Sequence, residues 1–180
     1  MPLFAELFDC LEVINIVKIR WIITDFIKNV SKDEFNAEWG GIFGYFEMCI
    51  NNQMLGFCPN RKMLSSEEGN EDILYWLLKL SDGIIQLNND KEYEIQLLSM
   101  NLAKIILKRE DKLLVCLVNS STDEVIWSEE IMFQEWCDEI KLNIEKFITE
   151  ILRVNSVLLN TNLIQKLYKI NEMINYEDSY

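Results

Sequence analysis

The chain has 180 residues and a net charge of −13, from 30 acidic and 17 basic residues, and 49% of its residues are hydrophobic. This charge disfavours nucleic acid and anionic membrane surfaces as partners and favours a basic protein, because binding a polyanion would add repulsion without releasing counterions. The sequence contains no histidine, which excludes Ser-His-Asp and Cys-His catalysis and imidazole metal sites.

The length predicts a single domain over residues 1–180, with a core at 13–152 and a C-terminal helical extension at 153–180. The amino terminus lacks a basic signal region, and no apolar run approaches the roughly 20 residues that span a bilayer. Five widely spaced cysteines without a C-x-x-C pair indicate reduced thiols. We therefore expect a cytoplasmic protein.

The clearest predicted element is a β-hairpin over residues 39–57, with a two-residue turn at Asn51-Asn52 of type I′. This turn places Phe46 opposite Phe57 and Met48 opposite Leu55, which gives one apolar face. Before the hairpin, alternating side chains over residues 13–28 predict a strand, with a helix as the alternative, and residues 30–38 read as a polar connection.

After the hairpin, helical spacing predicts a helix over residues 70–86 with Asn70 as its N-cap. A meander of strands follows, and a tight turn at Glu110-Asp111 would place residues 103, 105 and 107 on the same face as 114, 116 and 118. The predicted strands cover residues 93–99, 102–108, 112–118 and 124–131.

The C-terminal third is predicted to be helical, with a long helix over residues 133–152, a break near 155–162 and a final helix over 163–174. The final helix packs either on its own domain or on a second copy. The predicted fold class is therefore α+β: an antiparallel sheet of about six or seven strands, hairpin plus meander, covered by helices, with a long C-terminal helical region.

No catalytic, cofactor or metal site is predicted. The glycine run at residues 40–44 precedes a strand instead of opening a helix, and it lacks the Lys-Ser/Thr of a phosphate-binding loop. The paired carboxylates, such as Asp138-Glu139, are typical of solvated surface. We expect a binding protein and not an enzyme.

The acidic residues are unevenly distributed. Residues 121–150 contain nine acidic and two basic residues, a net charge of −7, and residues 65–72 add four acids with no base. These two zones can form one acidic face, or they can serve only solubility and helix starts.

Three segments together resemble a known family: GYFEMCINNQMLGF (44–57), EDILYWLLKL (71–80) and EVIWSEEIMFQEWCDEI (124–140). Their order over about residues 43–152 resembles that of the immunity proteins of bacterial polymorphic-toxin and contact-dependent growth-inhibition systems. This resemblance implies an antidote that binds the C-terminal toxin domain of its cognate effector. Residues 153–180 and those before 13 lie outside it.

The charge adds the hypothesis that the toxin domain is a basic nuclease, because a nuclease needs a basic surface to hold phosphates. An acidic inhibitor would be steered to that surface. The alternative is an acidic adaptor or inhibitor of another basic cytosolic protein. The predicted partner-binding residues are the acids Glu67, Glu68, Glu71, Asp72, Asp123, Glu129 and Glu130 and the aromatic residues Trp39, Tyr45 and Trp127.

Overall fold

The computed structural model describes residues 16–61, 69–97 and 102–177, apart from the side chains of residues 38, 39 and 175–177. The described residues form an α+β fold with two four-stranded antiparallel sheets. The predicted single sheet of about six or seven strands is therefore not confirmed, because the hairpin and the meander belong to separate sheets.

The first sheet has the order β1-β2-β3, and the short strand β4 pairs with the start of β2. Its strands are β1 (Val17–Ile23), β2 (Phe43–Ile50), β3 (Gln53–Phe57) and β4 (Glu71–Asp72). The second sheet is a meander in chain order, as predicted. Its strands are β5 (Glu92–Gln96), β6 (Ala103–Arg109), β7 (Leu113–Asn119) and β8 (Val125–Ile131).

Helices fill the connections and the C-terminal third. The α-helices are α1 (Lys32–Glu34), which continues into a π-helical turn (Phe35–Trp39), α2 (Ile73–Asn89), α3 (Phe133–Asn155) and α4 (Asn162–Glu177). Short 3-10 helices follow β1 (Asp25–Asn29) and α3 (Ser156–Asn160). None of the helices in the described ranges is both long and apolar enough to cross a membrane.

The hairpin has the predicted register, with Phe46 paired to Phe57 and Met48 to Leu55. Asn51 has a φ of 52°, as the first turn residue of a tight hairpin requires. Asn52 lacks the positive φ that a type I′ turn also needs, so that part of the prediction is wrong.

The inner face of the hairpin is less uniform than predicted. Phe46, Met48 and Leu55 are buried, whereas Phe57 is 64% exposed. Gly56, with a φ of 79°, departs from strand geometry immediately before Phe57. The exposed ring of Phe57 instead meets Tyr45, from the outer face, in an edge-on contact at 6.2 Å.

The prediction of which β7 residues share a face with residues 103, 105 and 107 of β6 is wrong by one residue. Ile105 pairs with Leu117 and Leu107 with Val115, so the inward set on β7 is odd-numbered. The reason is the turn: Arg109 pairs with Leu113, which leaves three residues in the turn instead of two. A shift of one residue moves every side chain of a strand to the opposite face.

Residues 30–38, predicted as a connection, are largely helical. The Ser31 side chain accepts a hydrogen bond from the Glu34 N–H (3.2 Å), and the Glu34 carboxylate accepts one from the Ser31 N–H (3.4 Å), which is a capping box. The helix predicted at 70–86 runs from Ile73 to Asn89, and its N-cap is Asp72, not Asn70. Its start shifts because Glu71 and Asp72 first pair with β2.

The helices bury the inner faces of both sheets in one core. Trp76 of α2 stacks on Phe46 of β2, with ring centroids 4.4 Å apart, and Phe147 of α3 meets Trp21 of β1 edge-on at 5.7 Å. The final helix α4 packs on its own chain, where Leu167 is fully buried. Of the two alternatives for this helix, packing on its own domain is the one observed.

Candidate partner-binding surface

The acids at the start of α2 bond to the chain's own groups. The Asp72 carboxylate accepts hydrogen bonds from the Tyr75 N–H (3.1 Å) and the Ile42 N–H (3.2 Å), so it caps α2 and fixes the entry to β2. Glu71 accepts a hydrogen bond from the indole N–H of Trp76 at 2.9 Å. Burial raises the pKa of Asp72 above its ordinary value of 3.8, against the lowering effect of its backbone donors. Glu67 and Glu68 lie outside the described residues.

The acids around β8 do not form one cluster. Asp123 lies in the turn before β8, has a φ of 55° and pairs with Lys104 at 3.2 Å. Glu129 accepts a hydrogen bond from the side-chain amide of Asn51 at 2.8 Å, which ties β8 to the hairpin turn of the first sheet. Glu130 follows Glu129 in the strand, so it points to the opposite face, where it is exposed.

The three predicted aromatic residues also lie apart. Tyr45 lies half-buried on the outer face of the first sheet, beside the exposed Phe57. Trp127 packs partly buried against the core, opposite Leu117 of β7. The side chain of Trp39 lies outside the described part of the structure. The predicted residues therefore do not assemble into a single site among the residues that the structure describes.

A different acidic surface does assemble, where the first turns of α3 run beside the start of β1. We call it the acidic groove; it has a volume of about 330 Å³. Its lining residues are Ile16, Val17, Glu135, Asp138, Glu139 and Leu142. All of its ionisable lining residues are acidic. The side chain of Asn51 links the groove to a further carboxylate, because it accepts a hydrogen bond from the Ile16 N–H and donates one to Glu129.

Hydrogen bonds between distant parts of the chain fix one side of the groove. Glu139 accepts from the Ile19 N–H at 2.7 Å and from the side-chain amide of Asn143 at 2.8 Å. The oxygen of the Asn143 amide accepts from the indole N–H of Trp21 at 3.0 Å. Similarly, Asn51 accepts from the Ile16 N–H at 3.1 Å. The edge of β1 is thus held against α3 by side chains.

The other side of the groove has the character of a site for a basic side chain. Ile16 and Leu142 are 48% and 44% exposed, and they give the groove an apolar surface. Asp138 is exposed there, whereas the Oε2 oxygen of Glu135 is buried and accepts no hydrogen bond from the described residues. A lysine or arginine can lay its aliphatic stem on such a surface and direct its charge to the carboxylates.

The sequence carries a signal for this groove that density of charge alone does not reveal. Glu135, Asp138, Glu139 and Leu142 follow the spacing i, i+3, i+4 and i+7, which places them on one face of a helix. This pattern does not reveal the other wall of the groove, β1, because the contact between β1 and Glu139 joins residues 120 positions apart.

No group of three potential metal-ligating side chains comes together within residues 16–61, 69–97 and 102–177. Two buried thiols have altered acidity: burial raises the pKa of Cys58 and of Cys116 above 9.0. A raised pKa keeps a thiol protonated and therefore weakly nucleophilic at neutral pH.

Comparisons of the chain with protein-family models, with curated proteins and with solved structures give no match.

Proposed function

We propose that this protein is the immunity protein of a bacterial polymorphic-toxin or contact-dependent growth-inhibition system. It binds the C-terminal toxin domain of a cognate effector in the cytoplasm and neutralises it, without catalysis or a cofactor and without contacting nucleic acid or membrane. The sequence resemblance over residues 43–152 supports this class, and the net charge of −13 supports a basic partner.

The observation that carries the proposal is the acidic groove. It combines three carboxylates with exposed apolar side chains. This combination suits a lysine or arginine of the partner, because the aliphatic stem can lie on the apolar side chains while the charge pairs with a carboxylate. Nuclease domains present such basic residues where they hold phosphate. The groove would therefore cover part of the toxin's substrate-binding surface.

The experiment uses the C-terminal domain of the large exported protein encoded directly upstream of this chain's gene. Growth is measured when this domain is expressed in a susceptible host, alone and together with the full chain. The proposal expects growth arrest with the domain alone and recovery with the chain. Binding of the two purified proteins is then measured at low and at moderately high salt.

The groove is tested by neutralising Glu135 and Asp138 together (Glu135→Gln, Asp138→Asn). Affinity should fall by about tenfold or more and lose part of its salt dependence, since complementary charge acts on both. The matched control removes two exposed acids elsewhere, Glu110→Gln on the β6–β7 turn and Glu172→Gln on α4, with the same change in net charge.

Three results are decisive. Recovery of growth with a groove-dependent, salt-sensitive affinity supports the proposal. Equal loss of affinity in both variants would assign the effect to net charge and not to the groove. Failure of the chain to bind the domain, together with retention of an ordinary basic cytosolic protein in a co-purification, would replace the antidote function by the adaptor function.

A further inference from the structure

Two kinds of hydrogen bond show which main-chain groups of β1 face β2 and which face away from it. The Thr24 N–H donates to the Phe43 carbonyl (3.0 Å) and the Asn51 N–H to the Ile16 carbonyl (2.8 Å), so the even-numbered residues of this segment face β2. The Ile19 N–H donates instead to Glu139 of α3. Because main-chain groups alternate along an antiparallel strand, the odd-numbered residues point away from β2.

The main-chain groups of Trp21 and Ile23 therefore point out of the sheet. No described residue pairs with the N–H of either residue. A groove of about 510 Å³ opens along this edge, lined by residues 19–23 on one side and by Asn143, Lys146 and Glu150 of α3 on the other. An unpaired strand edge beside a groove is the geometry that accepts an added strand.

The walls of this groove are already fixed in the free protein. Trp21 donates its indole N–H to Asn143 and packs edge-on against Phe147, so β1 and α3 hold a set separation. Glu150 is held by Arg153 of the same helix at 2.9 Å. A segment that enters would pay little to order the site, because its walls are preorganised.

The groove along β1 continues into the acidic groove. Both lie between β1 and α3: Ile19 lines the first and Glu139 the second, and a hydrogen bond joins these two residues. The first supplies unpaired main-chain groups, and the second supplies carboxylates. Together they specify the chemistry of one occupant, an extended chain that also carries positive charge.

We propose that an extended, basic segment of the partner adds to β1 as a strand. Its main chain pairs with Trp21, and a lysine or arginine about five residues along enters the acidic groove, about 16 Å away at the rise of a β-strand. This inference rests on the proposed function for the identity of the partner. Lys146 lines the groove beyond Asn143, on the side away from Ile16, and its charge disfavours the basic end of the segment there. Arg20 does not contribute to this preference, because it is paired with Glu47 at 2.9 Å.

The first test is residue-resolved amide hydrogen exchange of the full chain, with and without the upstream-encoded C-terminal domain. The Trp21 and Ile23 amides should exchange at least about tenfold more slowly in the complex, because each gains a hydrogen-bond acceptor. The amides of Arg20 and Ile22 already face β2 and serve as internal references.

The second test fills the groove. Lys146→Trp places a bulky side chain on its α3 wall and should weaken binding of the domain at least tenfold. The control, Lys169→Trp, changes an equally exposed lysine on α4. A variant with an ester in place of the Trp21 amide removes the N–H donor and keeps every side chain, and it should also weaken binding.

The outcomes separate this inference from the proposed function. If the domain binds while the Trp21 and Ile23 amides and the Lys146→Trp affinity stay unchanged, strand addition is wrong and the antidote function stands. If the domain does not bind, both are wrong. If the two amides are already protected in the chain alone, the inference is wrong. Protection at every protein concentration would mean that another part of the chain covers this edge. Protection at high concentration only would mean that a second copy covers it.

Discussion

Two helices of this protein begin among acidic residues, and they use them in opposite ways. At α2, Asp72 is the N-cap, and both Asp72 and Glu71 bond to groups of the chain's own core. At α3, the N-cap is Met132, which provides no capping side chain. Its acids lie further along, at Glu135 and Asp138, and line a groove. Glu71 and Asp72 meet donors of the core at the start of α2, whereas Glu135 and Asp138 accept no backbone N–H from the described residues.

Among the variants that test this comparison, the largest loss of stability is expected at Asp72. Asp72→Ala removes the acceptor of two backbone N–H groups and should lower the free energy of unfolding by about 2–3 kcal/mol. Asp72→Asn keeps an acceptor oxygen and should change it by less than about 0.5 kcal/mol at neutral pH. Urea denaturation measures both. An alanine variant as stable as the asparagine variant would remove the structural role assigned to this acid.

Gly41 belongs to the same arrangement. A Cβ at this position would overlap the Asp72 carboxylate, so the backbone of residue 41 passes too close to the cap for any side chain. The glycine run that lacks the features of a phosphate-binding loop thus has a structural reason in the contact between β2 and α2.

The next effect is expected at Glu139, the one acid that takes part in both folding and the groove. Glu139→Ala leaves the Ile19 N–H and one donor of the Asn143 amide without an acceptor, which should cost about 1–2 kcal/mol. Asp138→Ala, next to it but exposed, should cost less than about 0.5 kcal/mol. Equal losses in urea denaturation would contradict the difference drawn between these neighbours.

The pH dependence of stability separates the two helix starts in another way. Burial raises the pKa of Asp72 in the folded chain, so the folded state binds this proton more tightly than the unfolded state. The contribution of Asp72 to stability therefore falls as pH rises from its unfolded pKa, near 3.8, through its higher folded pKa, and it is constant above.

Asp72→Asn tests this sign because asparagine does not titrate. The free energy of unfolding of the variant minus that of the wild type should rise with pH across this interval and then level off. Measurements on both proteins cancel the titration of the other carboxylates. A difference that falls with pH would show that the backbone donors outweigh burial at Asp72.

The helices and strands could be predicted because each has its own hydrophobic periodicity. The errors concern features that periodicity does not determine, namely turn lengths and the pairing of hairpins into sheets. The β2–β3 register follows from the turn at Asn51, but the β6–β7 facing failed on the length of a turn. The polar connection predicted at residues 30–38 is helical over 32–39, and Ser31 and Glu34 have the capping-box spacing that indicates it. The strands were assigned to one sheet because local patterns do not say which hairpins pair.

The site was harder to predict for a related reason. Charge density pointed to acids at 67–72 and 123–130, yet Asp72, Glu71 and Glu129 have their bonding partners within the chain. Whether an acid meets an internal donor depends on tertiary contacts. The acidic groove exists only because β1 lies beside α3, a contact between segments more than a hundred residues apart that no local pattern encodes.

The smallest expected change is at the groove itself, and it is the one that separates folding from binding. Glu135→Gln with Asp138→Asn should alter the free energy of unfolding by less than about 0.5 kcal/mol, because neither carboxylate accepts a hydrogen bond from a backbone N–H of the described residues. Two small effects oppose each other here: the change relieves repulsion in a strongly acidic chain, and it removes the favourable interaction of Glu135 with the positive end of α3. Thermal and urea denaturation of this variant, beside Glu110→Gln with Glu172→Gln, measure the net change. A clear destabilisation would mean that these acids support the fold as Asp72 does, and the contrast between α2 and α3 would then disappear. Unchanged stability with weakened binding of the upstream-encoded domain would assign the groove to the partner.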